Sequence, residues 1–162
     1  MKLRSFALLA AALLLAACAV DQTNKGDAAG TGGGTVGNSA TAAAPGTEAD
    51  LVQNVGDRVF FDHDKSDINP EGRQILQRQA DWLKKYSNVT VTVEGHCDER
   101  GTREYNLALG ERRATAVKQM LVALGIPANR LSTISYGKER PAVPGSIETA
   151  WAQNRRSVTV VN

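Results

Sequence analysis

An acid at position 98 and a guanidinium at position 113 are the two side chains whose types and spacing best suit shared chemistry. Residues 95–117 read GHCDERGTREYNLALGERRATAV. Gly95-His96-Cys97-Asp98 reads as a strand-to-loop turn, with Asp98 standing where the strand has just ended. After Gly101 and Thr102 the pattern becomes an amphipathic helix. On it Asn106, Leu109 and Arg113 fall along one stripe, because residues three and four apart are surface neighbours. If the loop folds back over that stripe, a carboxylate faces a guanidinium across a gap floored by Leu109. Such a gap suits a zwitterion: the carboxylate takes an ammonium, and the guanidinium takes a carboxylate through two parallel hydrogen bonds. The same two residues could equally form an exposed salt bridge, which contributes about 0–1 kcal/mol and nothing more. Spacing leaves both open. Under the ligand reading, each charge should be replaceable with the fold largely intact.

The elements that must position this pair read as follows. Arg58-Val59-Phe60-Phe61 is a short strand rich in β-formers, leading into the loop Asp62-His63-Asp64-Lys65-Ser66-Asp67. Asn69 reads as an N-cap with Pro70 at the first helical position, and Ile75, Leu76, Gln79, Leu83 and Tyr86 follow at helical spacing. Val89, Val91 and Val93 alternate with threonines in a strand running to Glu94. The helix after it has Thr102 as cap, Glu104 in its first turn, and Gly125 and Pro127 just past its end. Gly110 inside that helix costs roughly 1 kcal/mol against Ala, so it is expected where another backbone or a ligand comes close. Residues 131–136 form a third strand, 147–153 a short helix and 157–161 a closing strand. The order strand–helix–strand–helix–strand–(helix)–strand implies an α/β (α+β) sandwich, with helices on one face of a mixed four-stranded sheet. Crossovers of about 30 and 35 residues favour some parallel pairing with right-handed connections.

The N-terminus supplies separate information. Lys2 and Arg4 precede an unbroken apolar run over residues 6–17. That run falls short of the ~20 residues that span a bilayer, but fits a secretory leader. It ends Leu15-Ala16-Ala17-Cys18, which resembles a bacterial lipobox, with Cys18 as the lipidated residue. A single acyl chain holds a protein only marginally at ~0.8 kcal/mol per buried CH₂. Lipoproteins of this type generally carry three chains, and such an anchor is effectively permanent. Ala19 stands where an Asp would resemble an inner-membrane retention signal, so the destination implied is the outer membrane, facing the periplasm. Once Lys2 and Arg4 leave with the leader, 17 basic residues balance 17 acidic ones, and no basic excess points to nucleic acid. With Cys18 acylated, Cys97 has no partner in the chain, so the fold must stand on its core. Three regions follow: a leader over 1–17, a lipidated cysteine and flexible linker over 18–55, and a folded domain over 56–162, long enough to build a core. The linker is rich in Gly, Ala, Thr and Ser. It would average about 33 Å as a coil and reach about 120 Å extended.

Gly95-His96, Asp98-Glu99-Arg100-Gly101-Thr102, Tyr105-Asn106-Leu107-Ala108-Leu109-Gly110 and Arg112-Arg113-Ala114 together resemble the signature of OmpA-like peptidoglycan-binding domains. The likeness extends from about Gly56 to Asn162 and includes Ser135-Tyr136-Gly137 and Asn154-Arg155-Arg156. It is nearest to the lipid-anchored members that work with the Tol proteins. The resemblance implies the OmpA-like fold. It also implies non-covalent binding of peptidoglycan through the free end of meso-diaminopimelate in the stem peptide, and a tether between outer membrane and cell wall. Asp98 and Arg113 would grip the amino-acid end, Thr102 would add a hydroxyl or backbone donor, and Leu109 would pack on the aliphatic stem. Asp64 and His63 would line the other side, with Asn106 on the same stripe. Relatives usually carry an aromatic at the position of His63 and often Thr or Ala at that of Cys97. The partners implied are the periplasmic propeller protein TolB and the Tol complex, with a role in outer-membrane constriction at division. No cofactor or metal is implied.

Two rivals remain. A wall hydrolase would need His63, His96, Cys97 and Asp98 as zinc ligands, or Cys97 with His96 as nucleophile and base. Adjacent residues on a strand point to opposite faces, so His96 and Cys97 are poorly placed to share a metal or a proton. An acid beside a cation stays ionised, which suits charge recognition better than proton transfer. A different OmpA-like anchor, of the flagellar-stator or porin-linked kind, would carry a transmembrane helix or a β-barrel where this chain has its lipobox.

Overall fold

The structure is a computed structural model and describes residues 43–162. The leader, Cys18 and most of the linker lie outside the described residues. α1 (Glu48–Asp50) runs into a five-residue π-helical turn (Leu51–Val55). There follow β1 (Arg58–Phe60), α2 (Pro70–Lys85), β2 (Val91–His96), α3 (Arg103–Ala123), a 3₁₀ turn (Ala128–Arg130), β3 (Leu131–Gly137), α4 (Glu148–Asn154) and β4 (Arg156–Val161).

Residues 48–55, expected within the linker, form helical turns. Leu51 is fully buried in the core, and Glu48 accepts a hydrogen bond from the Val161 backbone at 2.6 Å. Asp50 is the clasp. Its carboxylate accepts from the Gly46 backbone (2.8 Å), the Asn54 amide (2.8 Å) and the Trp82 indole on α2 (2.9 Å). The Asn54 bond, the Gly46 bond and the indole bond, in that order, favour the ionised form and hold this carboxyl at about 2, below the ordinary 3.8. A depressed carboxyl stabilises the fold above its unfolded pKa, and that contribution disappears as pH falls through the folded one. We expect Trp82 emission, measured in a Trp151→Phe background, to stay constant from pH 7 to about 4 and to change only as pH approaches 2. Asp50→Asn should abolish that late change. A transition centred at pH 4 or above in the parent would remove the clasp.

The sheet has the order β1-β4-β2-β3. β4 is antiparallel to both β1 and β2, while β2 and β3 are parallel, with Val91 opposite Leu131 and Gly95 opposite Ser135. The closing strand thus lies inside the sheet. α2 and α3 pack on one face over a core of Val59, Leu76, Leu83, Val93, Val117 and Leu121, among others. The caps fall where the sequence puts them. The Asn69 side chain accepts from Gly72 N with Pro70 at the helix start, Thr102 accepts from Tyr105 N, and Gly125 takes φ +95° beyond α3. β2 extends two residues past Glu94, so His96 is still in the sheet.

Gly95 and Gly110 let α3 sit on β2. A side chain on Gly95 would meet the Gly110 carbonyl oxygen at 1.9 Å, and one on Gly110 would meet Ser135 Oγ at 2.3 Å. This contact fixes where the start of α3 stands relative to the end of β2, and hence how residues 98 and 113 relate.

Candidate functional site

Four segments converge at the β2–α3 junction. The loop after β1 brings His63 and Asp64, the end of β2 brings Cys97 and Asp98, the next loop brings Arg100, and α3 brings Tyr105, Asn106, Leu109 and Arg113. They enclose a pocket of about 20 Å³, space for one water-sized group. Of the expected site residues, His63, Asp64, Asp98, Asn106, Leu109 and Arg113 all border it. Thr102 does not; it stands at the N-terminus of α3 as its cap.

Asp98 is nearly buried at 4% exposure and lies among cations. Its Oδ1 accepts from the Arg100 backbone (3.1 Å) and Arg100 Nε (3.2 Å). Its Oδ2 accepts from Arg100 Nη2 at 2.6 Å and lies 3.5 Å from Arg155 Nη1. His63 Nδ1 stands 3.8 Å from the same oxygen. Burial alone would raise this carboxyl, but the Arg100 side-chain and backbone hydrogen bonds outweigh it and hold it below the usual range. The residue is an anion already paired with Arg100.

Arg113 is not the open partner that spacing implies. It is fully buried, and its guanidinium donates to three backbone carbonyls: Nε to Lys65 (2.8 Å), Nη1 to His96 (2.8 Å) and Nη2 to Asp62 (3.1 Å). Phe61 lies under it at 5.1 Å. Burial pulls its pKa below the ordinary arginine value. It therefore ties the 62–65 loop to the end of β2. Three of its five N–H groups are engaged this way. The expectation that Arg113 could be replaced with the fold intact is corrected here, because a fully buried side chain that joins three backbone carbonyls on two segments would be lost.

The remaining residues fix the loops. Asn106 Nδ2 donates to the carbonyls of Arg100 (2.7 Å) and Thr102 (3.0 Å), holding the loop in which Arg100 sits. Asp64 adopts φ 57°, unusual outside glycine, and accepts the Tyr105 hydroxyl. That hydroxyl's pKa rises as a result, chiefly through this bond. Arg155 donates to the Phe61 carbonyl (3.0 Å) and pairs with Glu148 at 2.8 Å. Arg100, Tyr105 and Arg155 are the site residues that sequence reasoning missed. All three stand inside the motifs that carry the resemblance, but nothing in their spacing points at the pocket.

His96 and Cys97 do point apart. His96 packs beside Tyr136, 5.6 Å between rings, and burial followed by the Arg156 charge lowers its pKa to about 4. Cys97 Sγ donates to the Asn106 carbonyl at 3.3 Å, and burial raises its pKa. A protonated thiol and a histidine on the opposite face do not form a nucleophile and base. No group of three metal-ligating side chains clusters among the described residues.

An ionised acid and two buried arginines make a small charge-lined pocket on a mixed α/β scaffold. Residues 60–155 match the sequence model of the OmpA family, and the chain belongs to that family. A curated relative from Rhizobium meliloti, named peptidoglycan-associated lipoprotein, is 53% identical over 92% of this chain and 82% of its own length. Relatives of the same name from Brucella melitensis (54% identical, 80% of this chain, 77% of that one) and Pseudomonas aeruginosa (44%, 96% and 97%) agree. Among solved structures, the peptidoglycan-associated lipoprotein from Burkholderia pseudomallei superposes with a TM-score of 0.64. It is 40% identical over 65% of this chain and 90% of that one. The C-terminal domain of Helicobacter pylori MotB gives 0.61 at 25% identity, over 65% of this chain and 84% of that one.

Proposed function

We propose that this chain is a lipid-anchored, periplasm-facing protein of the outer membrane that grips peptidoglycan non-covalently and tethers membrane to wall. The relatives' shared name supports wall association and lipid anchoring. The site supports a particular grip: the free end of meso-diaminopimelate in the stem peptide, with its ammonium on Asp98 and its carboxylate toward Arg113. Leu109 offers an apolar floor to the methylene stem, and Asp64 with Tyr105 forms the opposite wall. The lipobox Leu15-Ala16-Ala17-Cys18, followed by Ala19, supports the outer membrane as destination. The resemblance supports TolB and the Tol complex as partners and a role in outer-membrane constriction. Binding, not catalysis, is the chemistry that these groups perform.

The single observation that carries this reading is the ionised Asp98 at a pocket that also borders Arg113. It is tested by retention of the full chain on purified sacculi. Asp98→Asn keeps the shape and removes the charge, so it should weaken retention by about 10- to 150-fold, the worth of one charge-assisted hydrogen bond. The variant should melt close to the parent. Retention unchanged by Asp98→Asn would end the proposal.

A further inference from the structure

Asp98 has no vacancy for a ligand. Its two oxygens already receive the Arg100 backbone, Arg100 Nε, Arg100 Nη2 and, more distantly, Arg155. The guanidinium of Arg100 is itself held on three sides. It stacks on the Trp151 ring at 4.1 Å, faces Asp98, and lies 3.0 Å from His63 Nδ1. Trp151 is braced in turn by its indole hydrogen bond to Glu99 at 3.1 Å. The pocket beneath is about 20 Å³, far too small for the end of an amino acid. Arg100 thus stands where an incoming ammonium must bind.

We propose that the Arg100–Asp98 ion pair is an exchange lock that sets the specificity of the pocket, an inference that rests on the diaminopimelate reading above. A ligand opens it by bringing both halves of a replacement pair. Its ammonium takes Asp98, and its carboxylate, directed at Arg113 by one oxygen, receives on the other the Arg100 guanidinium that the ammonium displaces, which stays at the mouth on Trp151. A ligand with an ammonium alone leaves Arg100 without its anion and must compete against a partner already tethered two residues away. The two-pronged geometry and the aromatic stack make arginine the residue suited to this position. In the closed state Asp98 is masked, and the apparent affinity of any ligand falls by the fraction of time that the lock is open.

The test compares two tripeptides on the full chain in mild detergent, by calorimetry: L-Ala-γ-D-Glu-meso-diaminopimelate and its L-lysine counterpart, which lacks the second carboxylate. The parent should prefer the diaminopimelate peptide. Arg100→Gln should strengthen lysine-peptide binding about tenfold, as expected for unmasking a site open roughly a tenth of the time, and should shrink the preference accordingly. Arg100→Lys, which keeps the charge but loses the fork, should fall between. If the parent shows the preference and Arg100→Gln retains it unchanged, the lock is wrong while the diaminopimelate reading stands. A weaker lysine peptide in Arg100→Gln would overturn the lock too. If the parent binds neither peptide, both ideas fall.

Discussion

Arg113→Ala should lower the stability of the domain by about 3–5 kcal/mol, because it empties a fully buried position and strips three backbone carbonyls of their donor at once. The partners lie on separate segments, Asp62 and Lys65 in the first loop and His96 at the end of β2, so the loss is not local. An unsatisfied buried acceptor costs about 1–3 kcal/mol, and only the His96 bond is fully buried, so the three fall short of strict addition. For a domain of this size that is a drop in melting temperature of roughly 10–25 °C. Arg113→Lys should recover little, since one ammonium on a flexible stem cannot reach three carbonyls that a planar fork spans. The measurement is thermal unfolding by circular dichroism alongside the parent. A change of less than about 3 °C would show that the carbonyl contacts are dispensable. It would also separate Arg113 from Asp98: the Asn variant at 98 loses the wall and keeps the fold, whereas Ala at 113 loses both. A mutational scan that read only wall binding would score the two alike and mistake a structural tie for a ligand contact alone.

What the sequence makes legible here follows from the range of the interactions. Caps are local, so Asn69 with Pro70 and Thr102 with Glu104 announce the starts of α2 and α3, and Gly125 with Pro127 the end of α3. The stripe Asn106–Leu109–Arg113 is local as well, and all three residues do face the pocket. The partners of those residues are not local. Backbone carbonyls have no sequence signature, so nothing in the letters says that Arg113 is engaged by residues 62, 65 and 96. The same blindness hides Arg155, which reaches the Phe61 carbonyl 94 positions away. The helical turns over 48–55 escape for another reason. One buried leucine just after a stretch rich in Ala, Gly and Thr gives no periodicity, and the indole of Trp82, contributed by a different helix, holds the turn through Asp50. The central place of β4 is also beyond local reading, since strand order reflects pairing across the whole domain.

Gly95→Ala should be the most damaging single substitution, leaving the domain unable to fold at ordinary temperatures. The added methyl would lie 1.9 Å from the Gly110 carbonyl oxygen and 2.5 Å from its carbon. Both are backbone atoms, so no rotamer relieves the clash. β2 cannot retreat, because it is paired on both sides, to β3 and to β4. The whole start of α3 must lift instead, and it carries Asn106 and Arg113 away from the carbonyls that they bind. Overpacking that forces backbone to move costs about 1–3 kcal/mol in ordinary cases. Here the loss of the Arg113 bonds is added, and the total approaches the 5–15 kcal/mol that a domain has in all. Gly110→Ala is the informative contrast. Its methyl meets Ser135 Oγ at 2.3 Å but the Gly95 oxygen only at 3.0 Å. A side-chain obstacle can be removed, so Ser135→Ala should restore much of the stability of Gly110→Ala and none of that of Gly95→Ala. Soluble expression and thermal melting of the four variants settle it. A Gly95→Ala protein that melts within a few degrees of the parent would mean that α3 and β2 are not in the tight backbone contact on which the geometry of the site depends.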